Sequence, residues 1–358
     1  MRVGVLTSGG DAPGMNSALR AVAKVGAALG LVVVGVEDGY VGLLEGRLRS
    51  LSMREVDDAF RKGGTVLGSA RSKVFPTPEG QAQARDTILR EKLSALIVIG
   101  GNGSLTGALA LSDAKTFDGA TLRVGGIPAS IDNDLGATAL CIGVDTAMNT
   151  IVEACDRICD TATAHRRTFI VEVMGRDSGY LAMTSAIAAG ADAVLLPESG
   201  KTKEQWVEQV ARAMEAAYQR DSGKRRVLVI KAEGVKLDCA ELKAAVDERV
   251  RTTLPGADTR VTVLGHVVRG GVPTALDRLL ASRLGNATIR ALADGQSGFM
   301  AGWFGPGVAN KPSPYDPQIV FTPLKEVLEE TARMLRGETE LARWRRKVFD
   351  EAESILLR

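Results

Sequence analysis

The chain has 358 residues, 45% of them hydrophobic and 25% charged, with a formal net charge of +2. That length asks for two or three core-forming units rather than one. The balanced charge gives no case for a nucleic-acid partner or an anionic membrane, and no apolar stretch reaches the length of a membrane span. The opening MRVGVLTSGG lacks a charged-then-apolar leader with a cleavage site, so a cytoplasmic protein is expected. Cys141, Cys155, Cys159 and Cys239 show no CxxC pairing and are read as reduced structural thiols.

In chain order, RVGVLT reads as a strand, SGGDAPG as a turn, and MNSALRAVAKVGAALG as a helix that ends at Gly30. LVVVGVE, LSALIVIGG and LRVGGIPAS follow as strands, the last two ending in small residues, with a helix expected in SLTGALALSDA. IGVDTAMNTIVEACDRICDTATAH carries Ala147, Met148, Ile151, Val152, Cys155 and Ile158 at helical spacing, with Asp145 as a helix cap. Four more apolar runs, RTFIVEVMG, ADAVLLPES, KRRVLVIKAEG and TRVTVLGHVVRGG, end in polar residues or glycine. Between them, KTKEQWVEQVARAMEAAYQRDSG predicts a long helix stopped at Gly223, and the tail from Thr322 to Arg358 is expected to be helical. Near-continuous apolar strands alternating with helices imply parallel sheets covered on both faces. The expected fold is α/β, two doubly wound Rossmann-like units plus helices at the end of the chain, with ligands at the carboxyl ends of the strands.

Three loops of small residues end strands of the first unit: TSGGDAPG, GGNGS and PASIDNDLG. In a parallel sheet these ends share one edge, so the loops should meet. Gly9, Gly10, Gly101 and Gly103 allow backbone amides to approach an anion, and helix amino termini strengthen the pull on phosphate. No GxxxxGK[ST] is present, and Gly101, Gly103 and Gly107 miss the dinucleotide fingerprint by one residue. Asp132 and Asp134 flank Asn133 between a strand and an expected helix start. Read from residues alone, this is either an Asx-type turn or a pair of carboxylates that divide base and Mg²⁺ duties in phosphoryl transfer. Arg71, Arg167, Arg176, Arg260 and Arg269 fall near predicted strand ends or in the following loops, where guanidinium forks suit phosphates. His266 either donates to a phosphate oxygen or makes a structural hydrogen bond.

GVLTSGGDAPGMN, GGNGS, IDND, VEVMGR, AEG and TVLGHVVRGG, in this order from Arg2 to about Pro312, resemble the 6-phosphofructokinase family. That resemblance implies Mg²⁺-dependent transfer of the γ-phosphoryl of ATP to the 1-hydroxyl of fructose 6-phosphate. It makes Asp132 the base, with Ser130 beside it in place of a threonine, and Arg176 the stabiliser of the transferring group. Met174, Gly175 and Glu233 place the sugar, with His266 and Arg269 on its 6-phosphate. Arg167 and Arg260 reach the same phosphate from a neighbouring subunit, which implies a homo-oligomer, a homotetramer, with shared active sites. Gly10, Arg71, Ser72 and Gly101, Asn102, Gly103 and Ser104 lie on the nucleotide side. The implied domains are 1–143 with 268–318 for nucleotide and 144–267 with 319–358 for sugar phosphate.

Some positions depart from the family pattern. Asn102 stands where ATP-using members carry an aspartate that helps place Mg²⁺, leaving Asp134, and secondarily Asp11, to compensate. Pyrophosphate-using members place an acidic residue at Gly103 and a lysine at Ala129, so these small residues favour ATP. The stretch DTAMNTIVEACDRICDTA has the flavour of the pyrophosphate-using branch. Arg20, Lys24, Asp58 and Asp192 fit the family's effector site, but Met53 and Cys159 replace expected arginines, so effector control should be altered or absent. The alternatives are pyrophosphate as donor, another acceptor such as sedoheptulose 7-phosphate, an NAD or lipid kinase, and a non-catalytic regulatory paralogue.

Overall fold

The computed structural model describes residues 1–218, 226–305 and 311–356, so the glycine stop expected at Gly223 lies outside the described residues. The first half of the chain runs β1 (Arg2–Ser8), α1 (Met15–Ala28), β2 (Val32–Val36), α2 (Tyr40–Glu45), β3 (Leu48–Ser50), α3 (Met53–Ala59), α4 (Pro78–Arg90), β4 (Ala95–Gly100), α5 (Asn102–Ala110), β5 (Arg123–Pro128) and α6 (Val144–His165). There follow β6 (Arg167–Val173), α7 (Tyr180–Ala189), β7 (Ala193–Leu195), α8 (Lys203–Tyr218), β8 (Val227–Ala232), α9 (Cys239–Val250) and β9 (Asp258–Val263). The remainder is α10 (Ala275–Ala293), β10 (Phe299–Trp303), β11 (Ile319–Pro323), α11 (Leu324–Leu335) and α12 (Glu340–Leu356). The chain divides into two compact units, Met1–Thr146 with Arg269–Arg336, and Ala147–Val268 with the residues from Gly337 on.

The first unit holds a seven-stranded sheet in the order β11-β10-β5-β4-β1-β2-β3, parallel throughout except at its two edges. Every residue of β4, ALIVIG, is buried, as a central strand covered on both faces requires. The chain moves outward from β1 in both directions, so the sheet's topological switch falls between β1 and β4. Register puts Ser8 opposite Gly100, and Gly100 opposite Pro128, so the loops after β1, β4 and β5 start level. Helix α1 buries Met15, Ala18, Leu19, Val22 and Gly26 at helical spacing and packs on α10. Gly285 permits that approach, because a Cβ there would lie 2.9 Å from the Ala18 carbonyl.

The second unit holds an all-parallel sheet, β7-β8-β6-β9. Its core joins Ile170, Leu195, Val210, Met214, Val229, Leu242 and Val246. Val173 faces Ala232 in register, so the segments beginning at Met174 and Glu233 also start level.

Two doubly wound α/β units with mainly parallel sheets are therefore present, and several details differ from expectation. No helix follows the Asp132–Asp134 pair directly: the chain stays irregular from Asn133 to Gly143, with Asn133 and Ala137 at positive φ. Asn133 is buried and donates from Nδ2 to the Ala139 carbonyl while its Oδ1 accepts from the Cys141 amide, so its side chain shapes the loop. Residues 319–336, expected with the second domain, belong to the first unit because β11 pairs antiparallel with β10. The tail thus opens with a strand before turning helical. Helix α5 ends at Ala110, before the SDA of its expected span. Helices α3 and α4 were not anticipated, though Ser52 and Thr77 cap them, with Pro78 opening α4.

Candidate functional site

Convergence of the first unit's loops follows from register and from glycine. Gly9 takes φ +89°, and a Cβ there would meet Ser104 Oγ at 3.2 Å. A Cβ on Gly100 would lie 2.4 Å from the Ser8 carbonyl, so no other residue fits there without a shift. On the third loop, Ala129 O and Ser130 Cβ lie 3.8 Å from the Cβ position of Gly101. Helices α1 and α5 both begin at a glycine, Gly14 and Gly101, with no side chain capping their first amides. An uncapped amino terminus is a ready anion site, and these two lie on either side of the switch point.

Asn102 is the first residue of α5 and, like Gly103, is exposed; Ser104 is buried. Its carbonyl accepts from Thr106 Oγ1, leaving the amide side chain outside that bond. Beneath them, Tyr40 donates its hydroxyl to the Ser104 carbonyl at 2.7 Å and stacks on Phe75 at 3.9 Å. Burial pushes the Tyr40 hydroxyl far above its ordinary value, so it stays a donor.

Ser130 Oγ donates to Asp134 Oδ1 at 2.7 Å, and Asp132, Asp134 and Ser130 are all half-buried. Ser69 donates to the Gly9 carbonyl at 2.6 Å, tying the segment with Arg71 and Ser72 to the first loop. Arg71 is exposed, while Ser72 Oγ accepts from the Phe75 amide. Arg269 lies over Gly10: its Nη1 would be 2.7 Å from a Cβ there, and it donates to the Asp11 carbonyl at 3.4 Å. Gly10, Arg269, Gly101 to Ser104, Ser130, Asp132 and Asp134 thus stand on one edge of the first sheet.

In the second unit, Met174, Gly175 and Arg176 follow β6 and Glu233 follows β8. The Glu233 amide donates to the Val173 carbonyl at 2.9 Å, and the Gly234 amide to the Gly175 carbonyl at 3.1 Å. Gly175 takes φ +130°, and a Cβ on Gly234 would come within 2.1 Å of the Arg176 carbonyl, so both glycines are obligatory for this zipper. Arg176 and Glu233 are exposed at the ends of their strands, and Met174 is buried. His266 is exposed in the 3₁₀ turn Gly265–Arg269 after β9.

Arg167 and Arg260 are placed differently from expectation. Arg167 opens β6 at its amino end and Arg260 lies within β9, away from the carboxyl edge that bears Arg176. Both pair with Asp258, at 2.7 and 2.9 Å. Burial raises the Asp258 carboxyl, and the two guanidiniums outweigh it and hold it below its ordinary value.

Asp277 is a residue that sequence reading missed. Fully buried, it accepts from the Gly143 amide, the Thr146 amide and Thr146 Oγ1, anchoring the first turn of α6. Burial raises its carboxyl above the ordinary value, with these donors pulling the other way. The spacing Thr274-x-x-Asp277 was a visible capping signal, but the carboxylate serves another helix than its own. Asp192, expected in an effector site, is buried and accepts from the Leu228 amide. Arg20 and Lys24 both pair with Asp57, at 2.5 and 2.8 Å. Cys159, standing where an arginine was expected, accepts from Arg226 Nη1.

A sequence model of the family described as Phosphofructokinase matches residues 2–292. The chain belongs to the phosphofructokinase family. It is 46% identical over 300 residues to a protein of Bacteroides thetaiotaomicron named ATP-dependent 6-phosphofructokinase 2, covering 84% of this chain and 88% of that one. It is 43% identical to ATP-dependent 6-phosphofructokinase 1 of Thermus thermophilus, over 92% of this chain and 94% of the other. Among solved structures, the phosphofructokinase of Pichia pastoris superposes with a TM-score of 0.86 at 33% identity, covering 99% of this chain and 39% of that chain. Among the described residues, no helix is long and apolar enough to cross a membrane.

Proposed function

We propose that this chain transfers the γ-phosphoryl of ATP to the 1-hydroxyl of fructose 6-phosphate, giving fructose 1,6-bisphosphate and ADP. What carries the reading is the meeting of three strand-end loops at the switch point of the first sheet. Two uncapped helix amino termini flank it, and Asp132 stands in the third loop. The names of the two bacterial relatives agree with it. The amides of α1 and α5 receive the nucleotide phosphates, with Gly10, Arg71, Ser72 and Ser104 around them. Asp132 takes the proton of the 1-hydroxyl as its oxygen forms the new bond to phosphorus and the bond to the bridging oxygen of ADP breaks. Ser130, held on Asp134, stands beside that carboxylate.

Arg176 neutralises charge on the transferring group, and Met174, Gly175 and Glu233 place the sugar. His266 and Arg269 bind its 6-phosphate. Arg167 and Arg260 complete that site from a neighbouring copy, so the working form is a homo-oligomer, on the family resemblance a homotetramer, acting in the cytoplasm. Domain roles follow: the first unit takes nucleotide and the second sugar phosphate.

Among the described residues, no group of three carboxylate, histidine or cysteine side chains forms a metal cage. A site built from the Asn102 amide oxygen and the Asp134 carboxylate, with Asp11 as a further carboxylate, would fit Mg²⁺, which keeps waters and substrate phosphates as most of its ligands. Bound there, Mg²⁺ would supply positive charge to the phosphates. Effector control is altered or absent, because Met53 and Cys159 carry no positive charge where arginines would, and Asp57 offsets one of the two charges of Arg20 and Lys24.

Asp132→Asn and Arg176→Ala test the assignment. Both should lower kcat by about a thousandfold, with the KM for ATP changed by about threefold or less. Retention of native kcat in either would refute it.

A further inference from the structure

We propose that α12 positions the loop carrying Arg176, acting through Tyr180 and Glu198; the proposal rests on the role given to Arg176 above. Residues 174–179 form the loop between β6 and α7, with Arg176 exposed near its middle. Its first half is fixed by the Gly234 amide on the Gly175 carbonyl. Its second half closes at Gly179, whose amide donates to Glu198 Oε1 at 2.6 Å. Glu198 belongs to the 3₁₀ turn Pro197–Ser199 that follows β7.

Two consecutive arginines of α12 secure that closure from both sides. Arg346 Nη1 donates to the Glu198 carbonyl at 3.1 Å, fixing the turn that presents the carboxylate. The Arg345 guanidinium lies 4.6 Å over the ring of Tyr180, the first residue of α7 and the one after Gly179. Phe349, buried at 7% exposure, seats the helix, which lies along α7 and β7. Thus α12 holds both partners of the Gly179–Glu198 bond. The family match ends at residue 292, so this brace comes from a segment outside it. Phosphoryl transfer is sensitive to small misplacement of a charge-stabilising group, so loosening this closure should slow the chemical step more than it weakens nucleotide binding.

The test uses the full chain with Arg345→Ala and Arg346→Ala combined, and separately Tyr180→Leu and Tyr180→Phe. Steady-state kinetics, thermal melting and amide exchange across residues 174–180 are compared with the native chain. The double variant and Tyr180→Leu should lose about three- to tenfold in kcat, with the KM for ATP within about twofold and faster exchange at Gly179. Tyr180→Phe keeps the ring face and should retain native kcat and exchange. An unaltered kcat in the folded double variant overturns the proposal, as does a Tyr180→Phe chain as impaired as Tyr180→Leu. If the native chain turns over no substrate, the role of Arg176 falls, while exchange still decides the brace: unaltered exchange in the double variant overturns it and faster exchange supports it.

Discussion

Lys231 Nζ lies 2.7 Å from Glu172 Oε2, its side chain 2% exposed, between paired strands β8 and β6 whose ends lead to Glu233 and Arg176. Cys239 also donates to that carboxylate oxygen, at 3.2 Å. A buried ion pair adds little over an apolar pair of the same shape, but removal of one partner leaves an uncompensated charge. Lys231→Met should therefore cost about 3–5 kcal/mol of unfolding free energy, and Lys231→Met with Glu172→Leu should recover most of it. Denaturant unfolding of the two variants checks this; an equal loss in both would argue against a charge effect.

Burial, and then Glu172, push the Cys239 thiol up to about 12, and burial pushes Cys155 to about 12 as well. Both remain thiols across neutral pH, and the thiolate is the reactive form. Iodoacetamide at pH 8 should leave both unmodified in the native protein and modify both after unfolding, as read by peptide mass spectrometry. Rapid native labelling of Cys239 would contradict its place beneath β6 and β8.

Gly103 has no atom within 4 Å of a built Cβ and occupies the second position of α5, where an acidic side chain favours the helix dipole. Gly103→Asp should leave stability unchanged or raise it by about 0.5–1 kcal/mol. The added charge would face the nucleotide phosphates, so kcat/KM for ATP should fall by about a hundredfold. A variant that melts early, or one that uses ATP as well as the native chain, would remove Gly103 from the donor argument.

The Arg283 fork grips Asp316 with two bonds of 2.6 Å, and the Gln318 amide adds a third at 2.9 Å. Burial raises that carboxyl, but the guanidinium and amide prevail and hold it below its ordinary 3.8. A depressed folded value gives stability that is complete above the ordinary value and lost as pH falls through the lower one. Asp316→Asn should cost about 1–3 kcal/mol at pH 6, and the gap to the native chain should narrow toward pH 2. Unfolding midpoints at the two pH values check the sign.

The strand-end loops of the first sheet were legible because glycine pairs after fully apolar runs encode both strand end and turn, as in IVIGGNGS. The loop at IDND was legible in residue type but not in shape. Asn133 sits at positive φ and satisfies its amide within the loop, so no helix starts there. Residues 319–336 were misassigned because an edge strand such as IVFTP carries no mark of its partner, and β10 is set by long-range pairing. The tie from Asp277 to the first turn of α6 and the brace from Arg345 and Arg346 were not legible for the same reason: each acts on an element distant in sequence.

The most direct test of the central claim is product formation from fructose 6-phosphate and Mg²⁺, with ATP and pyrophosphate tested side by side in the native chain and in Asn102→Asp. Turnover with ATP and none with pyrophosphate is expected in both chains, with the aspartate lowering the Mg²⁺ concentration required. Turnover with pyrophosphate alone, or turnover that appears only once Asn102 becomes aspartate, would contradict it.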